Sequence, residues 1–118
     1  MIFSCILPWP PSVNTYYTVA RGRKILSKKG RRFKADCGWC IVPFKPVMMA
    51  GDLEVLVEVT PPDNRKRDLD NLLKPILDVL GNYCVYEDDS QIVDLRIKKI
   101  EGVKGEVLIT IKELENAS

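Results

Sequence analysis

Apolar positions recur along this chain at two spacings, and each spacing assigns elements. Ile2–Leu7 is a short apolar run that reads as a strand and stops at Pro8. The stretch Pro8–Asn14 carries three prolines, which remove donors and bias the preceding residues away from helix. It is therefore extended or turned. Tyr16–Ala20 and Lys24–Leu26 flank Arg21-Gly22-Arg23, which reads as a small hairpin with glycine at its turn. Ser27 is a good N-cap for a basic helix reaching about Ile41, although Gly30 and Gly38 weaken it. Pro43 and Pro46 end that helix. Leu53–Thr60 alternates, with Leu53, Val55, Val57 and Val59 on one face and Glu54, Glu58 and Thr60 on the other.

Period 3.6 returns at Leu69–Leu80, where Leu69, Leu72, Leu73, Ile76, Leu77 and Leu80 form one face. Asp68 is the expected cap of this helix, and Gly81 or Asn82 the expected stop. Pro75 lies inside it, so a kink is expected there. Gln91–Ile100 and Glu106–Glu113 alternate again, with Val93, Leu95, Ile97 and Val107, Ile109, Ile111 inward. Gly102 and Gly105 in the connection suggest that these two strands pair as a hairpin. The order is β–(β-hairpin)–α–β–α–β–β. It predicts an α/β domain of the α+β type, a small mixed sheet with two main helices on one face. The whole chain, 1–118, reads as a single domain with its last few residues disordered.

Composition narrows the chemistry. The chain is 46% hydrophobic and 29% charged, near the globular average, so a disordered tail, a collagen and a coiled coil do not fit. No apolar run approaches the roughly 18 residues a bilayer span requires. The first residues lack a basic segment and are proline-rich, so no signal peptide is expected and the protein reads as cytoplasmic. It contains no histidine. A histidine general base, a His/Cys/Asp hydrolase and a His-ligated metal site are thereby excluded.

The net charge of +2 conceals an asymmetry. Residues 1–50 hold nine Lys/Arg and one acid, Asp36, whereas residues 51–118 hold nine Lys/Arg and fifteen acids. Arg21, Arg23, Lys24, Lys28, Lys29, Arg31, Arg32 and Lys34 fall together with no acid among them. Such a run suits a polyanion, because neutralised phosphates release counterions. A solvated helix face would read the same way. The acidic half then calls for a reason, which a divalent cation would supply. Cys37-Gly38-Trp39-Cys40 looks like a redox dithiol but falls late in a helix, and Cys5 and Cys84 form no second zinc pair. Buried or incidental thiols are the default.

Arg65-Lys66-Arg67-Asp68-Leu69-Asp70-Asn71-Leu72-Leu73-Lys74 is the most informative segment. With Asp68 still extended at the cap, its carboxylate and that of Asp70 can converge at a helix N-terminus, where the dipole favours negative charge. A few carboxylates plus water are how proteins hold Mg²⁺ beside a phosphate. Lys74 lies one turn after Asp70 and could aim at a scissile phosphate. The plain structural account is a cap worth about 1 kcal/mol and an Asp70–Lys74 helix pair worth a few tenths of a kcal/mol. Glu87-Asp88-Asp89 adds a second acidic group. Spacing alone does not bring it to Asp68, because a helix of about a dozen residues is roughly 18 Å long.

These segments together resemble the RusA family of Holliday-junction resolvases. The resemblance runs from Leu7-Pro8-Trp9-Pro10-Pro11-Ser12-Val13-Asn14-Thr15-Tyr16-Tyr17 and Arg21-Gly22-Arg23 through Arg67–Lys74 to Asp88-Asp89-Ser90-Gln91-Ile92 and the terminal strands. It implies a small α/β homodimer that binds four-way or branched DNA and cuts four-way junctions with Mg²⁺ or Mn²⁺ in recombination and repair, without an organic cofactor. It matches Asp68, Asp70 and Asp89 to the family's metal-binding, catalytic aspartates and Lys74 to its essential lysine. Asp88 and Gln91 take supporting roles. Arg65, Lys66 and Arg67, with the basic run, would contact the DNA backbone without reading sequence. Phe33–Met49 departs from the family pattern. The competing expectations are a non-catalytic branched-DNA-binding protein, a different Asp-x-Asp Mg²⁺ enzyme and a thiol redox protein.

Overall fold

The structure, a computed structural model, describes residues 1–114. The expectation of disorder at the last few residues lies outside the described residues. Four strands, β1 (Ile2–Pro8), β4 (Leu53–Thr60), β5 (Ile92–Lys99) and β6 (Glu106–Glu113), form a mixed sheet ordered β1-β6-β4-β5. A separate hairpin joins β2 (Tyr17–Ala20) to β3 (Arg23–Leu26). Its turn places Arg21 at φ 51° and Gly22 at φ 73°, the paired left-handed geometry that matches strand twist. The helices are α1 (Val13–Tyr16), α2 (Lys28–Ile41) and α3 (Asp70–Asn82). The stretch read as extended or turned is still extended at Ser12 and turns into α1 at Val13.

The expected pairing of the last two strands is incorrect. β6 lies antiparallel between β1 and β4, while β5 runs parallel to β4 on its far side. The connection crosses the end of β4 instead of folding β6 back onto β5. Ile100 N–H donates to the Val59 carbonyl, Thr60 Oγ1 to the Ile100 carbonyl, and Gly105 N–H to the Thr60 carbonyl. Gly105 turns the chain there at φ 82°. β6 thereby has a ladder partner on both sides. β5 lies at the sheet edge; of the three residues expected inward, Ile97 packs against the core, whereas Val93 and Leu95 remain 57% and 39% exposed.

One face of the sheet carries the core. Leu53, Val55, Val57 and Val59 of β4 and Val107, Ile109 and Ile111 of β6 are buried, with Cys5 and Leu7 beside them. They pack in one cluster with Phe33, Cys37 and Ile41 of α2 and Leu72, Ile76, Val79 and Leu80 of α3. The Ser27 cap is present, with its Oγ accepting from Gly30 N–H at 3.0 Å. α3 begins at Asp70 behind Leu69 and has no side-chain cap, so Asp68 does not cap it. It runs without a break through Pro75 to Asn82.

α3 ends at Asn82, one of the two expected stops, but the left-handed residue that closes it is Cys84. Cys84 adopts φ 62°, its N–H reaching the Gly81 carbonyl, and Val85 N–H reaches back to Leu80. This is a Schellman closure with cysteine at the position glycine usually holds. Cys84 is exposed, so its side chain contributes little packing against the cost of the left-handed backbone. Cys84→Gly is expected to raise stability by about 0.5–1 kcal/mol after the entropy of the unfolded glycine is counted. A urea midpoint that falls would refute this.

Candidate active site

Asp70 is the first residue of α3, and Asp68 precedes it with its backbone carbonyl accepting from Asn71 N–H at 3.2 Å. The side chains of both are exposed, and among the described residues neither carboxylate has a hydrogen bond or ion pair. Asp68 lines an open cleft of about 450 Å³ with Trp9, Asn14, Lys66, Arg67 and Asn71. The proline-rich segment after β1 therefore forms the wall opposite the α3 N-terminus. The Arg67 guanidinium lies over the Trp9 ring at 5.4 Å and binds Asp63 at 2.8 Å. Arg65 also pairs with Asp63, at 3.3 Å. The bond from the Arg67 guanidinium first, and then the one donated by the Arg65 backbone N–H, hold the Asp63 carboxyl down at about 2.

One turn further, Lys74 Nζ donates to Asp78 Oδ1 at 2.9 Å. The other oxygen of Asp78 accepts from the Tyr17 hydroxyl. That bond to Asp78 raises the Lys74 pKa, partial burial opposes it, and the charges of Asp78 and Asp89 add to it. Lys74 is therefore a fixed ammonium.

Asp89 reaches this site because the chain turns back along α3 after Cys84. A short 3₁₀ turn, Asp89–Gln91, is closed by a capping box. Asp88 Oδ1 accepts from Ser90 N–H, the first cause of its lowered pKa. Gln91 Oε1 accepts from the Glu87 and Asp88 N–H groups, and its Nε2 donates to the Met49 and Gly51 carbonyls. Asp88 and Gln91 thus hold the turn in place. A cleft of about 490 Å³ opens beside it, lined by Tyr17, Lys34, Asp78, Asn82, Asp88 and Asp89.

The geometry gathers the candidates only in part. Asp89 comes within electrostatic reach of Lys74, and Asp68 and Asp70 stand at the start of the same helix. Among the described residues, no three Asp, Glu or Cys side chains form a ready metal cluster. The donor chemistry still fits Mg²⁺ or Mn²⁺, since the available ligands are carboxylate oxygens. Mg²⁺ needs only one or two of these beside water and substrate phosphate.

Arg21, Arg23, Lys24, Lys28, Lys29, Arg31 and Arg32 are exposed along the hairpin and the first half of α2, and Arg65 and Lys66 are exposed near Asp68. Lys24 also sits over the Tyr17 ring at 4.3 Å, and Arg31 donates to the Leu26 carbonyl. Cys37 is buried and burial pushes its thiol up, while Cys40 is raised for the same first reason. A redox dithiol requires the opposite shift. Asp78 and Tyr17 were not singled out from the sequence. Asp78 carries a signal, one turn after Lys74; Tyr17 ends the proline-rich motif, but nothing local pairs it with a residue 61 positions on.

The model of the family described as Endodeoxyribonuclease RusA matches residues 8–112. The chain belongs to the RusA family. Its relatives include crossover junction endodeoxyribonuclease RusA of Escherichia coli K12, 38% identical over 116 residues and 97% of each chain. The enzymes of that name from Enterobacteria phages 82 and HK97 are also 38% identical, over 112 and 118 residues and 93% and 97% of each chain. The RusA match spans both clefts and all the candidate residues above. The resemblance read from the motifs is therefore correct at the level of the family.

Proposed function

We propose that this RusA-family chain is an endodeoxyribonuclease that resolves four-way DNA junctions by paired phosphodiester hydrolysis, acting as a homodimer with Mg²⁺ or Mn²⁺. The observation that carries the proposal is the single helix α3. It presents two free carboxylates, Asp68 and Asp70, at its start and an ammonium, Lys74, one turn on, bonded to the Asp78 that lines the Asp89 cleft. A purely DNA-binding protein has no use for that charge pattern.

Asp68, Asp70 and Asp89 would hold the ion. When bound, it supplies a Lewis acid that activates water and offsets charge on the phosphate. The chain's own work is to position and to stabilise. Lys74 sets a positive charge where negative charge develops on the phosphoryl group. The exposed basic hairpin and α2 hold the sugar–phosphate backbone, and Lys66 holds it beside Asp68. No histidine exists to move the proton. A C2 dimer presents two copies of the site to two opposed strands of a two-fold junction.

The deciding experiment incubates an end-labelled four-way junction with the protein, with and without Mg²⁺ or Mn²⁺, against linear duplex. Paired, symmetric, metal-dependent nicks on the junction support the proposal. Tight binding without cutting in either metal refutes catalysis and leaves a branched-DNA-binding protein. Junction affinity is also expected to fall linearly on a log–log salt plot, by about 0.9 in slope per phosphate contacted. A flat response would remove the basic face from the interface.

A further inference from the structure

Asp78 has no part in the cleavage scheme above, yet two distant elements meet on it. Its two oxygens accept from Lys74 Nζ and from the Tyr17 hydroxyl. Tyr17 opens β2, and its ring is covered by Lys24 of the partner strand β3. Burial first, and the bond to Asp78 second, raise the Tyr17 pKa well above its ordinary value, so the hydroxyl remains a donor.

Helix energetics do not account for this arrangement. Lysine four residues before aspartate is the weaker order of an i,i+4 pair. The Asp78 side chain is only 21% exposed, against 52% for Lys74. A carboxylate so far removed from water needs both donors to offset its lost hydration. The result is an anchor at the wall of the Asp89 cleft, which both Tyr17 and Asp78 line. A free lysine carries about 2 kcal/mol of side-chain rotamer entropy, and the anchor removes much of that freedom before substrate arrives.

We propose that Asp78, braced by the Tyr17 hydroxyl, is a positioning residue that holds the Lys74 ammonium at the Asp89 side of the cleft for phosphodiester cleavage. The inference rests on the junction-cleaving function and on the role given there to Lys74. Asp78 itself touches no substrate. Its loss therefore slows the chemical step and leaves junction affinity unchanged.

Single-turnover cleavage of a four-way junction by the full chain tests this, with junction Kd and Tm measured in parallel. Asp78→Asn keeps the side-chain shape and an acceptor for Tyr17. It is expected to slow cleavage about 10- to 100-fold, the scale of a misplaced catalytic group, at unchanged Kd. Tyr17→Phe removes only the brace and is expected to slow it about 3- to 10-fold. If Asp78→Asn loses its fold, Tyr17→Phe carries the same comparison. In a Lys74→Ala background, Asp78→Asn is expected to have no further effect, because its whole action passes through Lys74. Wild-type rates for both variants beside a slow Lys74→Ala would overturn the positioning role and leave junction cleavage standing. So would an equal loss from Asp78→Asn with and without Lys74. A wild-type chain that does not cut, or a Lys74→Ala variant at full rate, would overturn the parent proposal and this one with it.

Discussion

Asp70→Asn is expected to abolish metal-dependent junction cleavage while junction binding is retained or tightened. The substitution is isosteric and lies at an exposed first turn, so the fold loses only the interaction of one acid with the helix dipole. That interaction is worth about 0.3–1 kcal/mol. The chemical loss is far larger. A metal's charge stabilisation is worth several kcal/mol. At about 1.4 kcal/mol per decade, losing it costs about a thousandfold or more in rate. Binding moves the other way, because a negative charge disappears from a surface that meets a polyanion. Cleavage rate and junction Kd, measured side by side with Tm, separate the two effects. A variant that cuts at the wild-type rate would remove Asp70 from the machinery. A variant that loses affinity in proportion to rate would make Asp70 a structural part of the DNA surface.

How far the sequence reveals this molecule depends on the range of each determinant. Strands and helices were legible because their apolar periods are local. The alternation of Leu53–Val59 and the 3.6 spacing of Leu72–Leu80 both define buried faces in the structure. The hairpin at Arg21-Gly22 and the Ser27 cap were legible for the same reason. Strand order was not. Whether β6 pairs with β5 or enters between β1 and β4 is decided by two backbone ladders and by the crossing at Thr60, none of which leaves a mark in the pattern of Gln91–Glu113. Leu95 pairs with the buried Val55 but stays 39% exposed, since periodicity marks a face and not how far helices cover it.

The site divides in the same way. Asp68, Asp70 and Lys74 share one segment, so their proximity could be read. The cap assigned to Asp68 failed because its side chain stays free, which suits a ligand better than a cap. Asp89 required a turn whose decisive bonds run from Gln91 to Met49 and Gly51, some forty residues away. The brace from Tyr17 to Asp78 spans 61 residues. Long-range polar contacts of this kind have no period to detect. Family motifs supplied the aspartates, and only geometry supplied the residue on which Lys74 rests.

Gly30→Ala is expected to destabilise the chain strongly, against the rule for glycine in a helix. In a solvated helix interior this change gains about 1 kcal/mol. Here Gly30 is buried in the first turn of α2, and a methyl group would be driven into the backbone carbonyl of Tyr16, with the Tyr16 ring 3.2 Å away. The carbonyl cannot retreat, since it accepts from Ser27 N–H at 2.9 Å and from Ser27 Oγ at 3.0 Å. Those bonds tie the cap of α2 to the end of α1. Overpacking costs about 1–3 kcal/mol or more, and breaking the Ser27 cap about 1 kcal/mol. The net loss is about 2 kcal/mol, or about 8 °C in Tm for a domain of this size. The effect extends to the site, because Tyr16 is followed directly by the Tyr17 that braces Asp78. Below its lowered Tm, Gly30→Ala is therefore expected to resemble Tyr17→Phe, with slowed cleavage at unchanged junction affinity. A variant as stable as wild type would show that α1 and α2 can separate without cost. A destabilised variant with a full cleavage rate would show that the seat of Tyr17 does not depend on this contact.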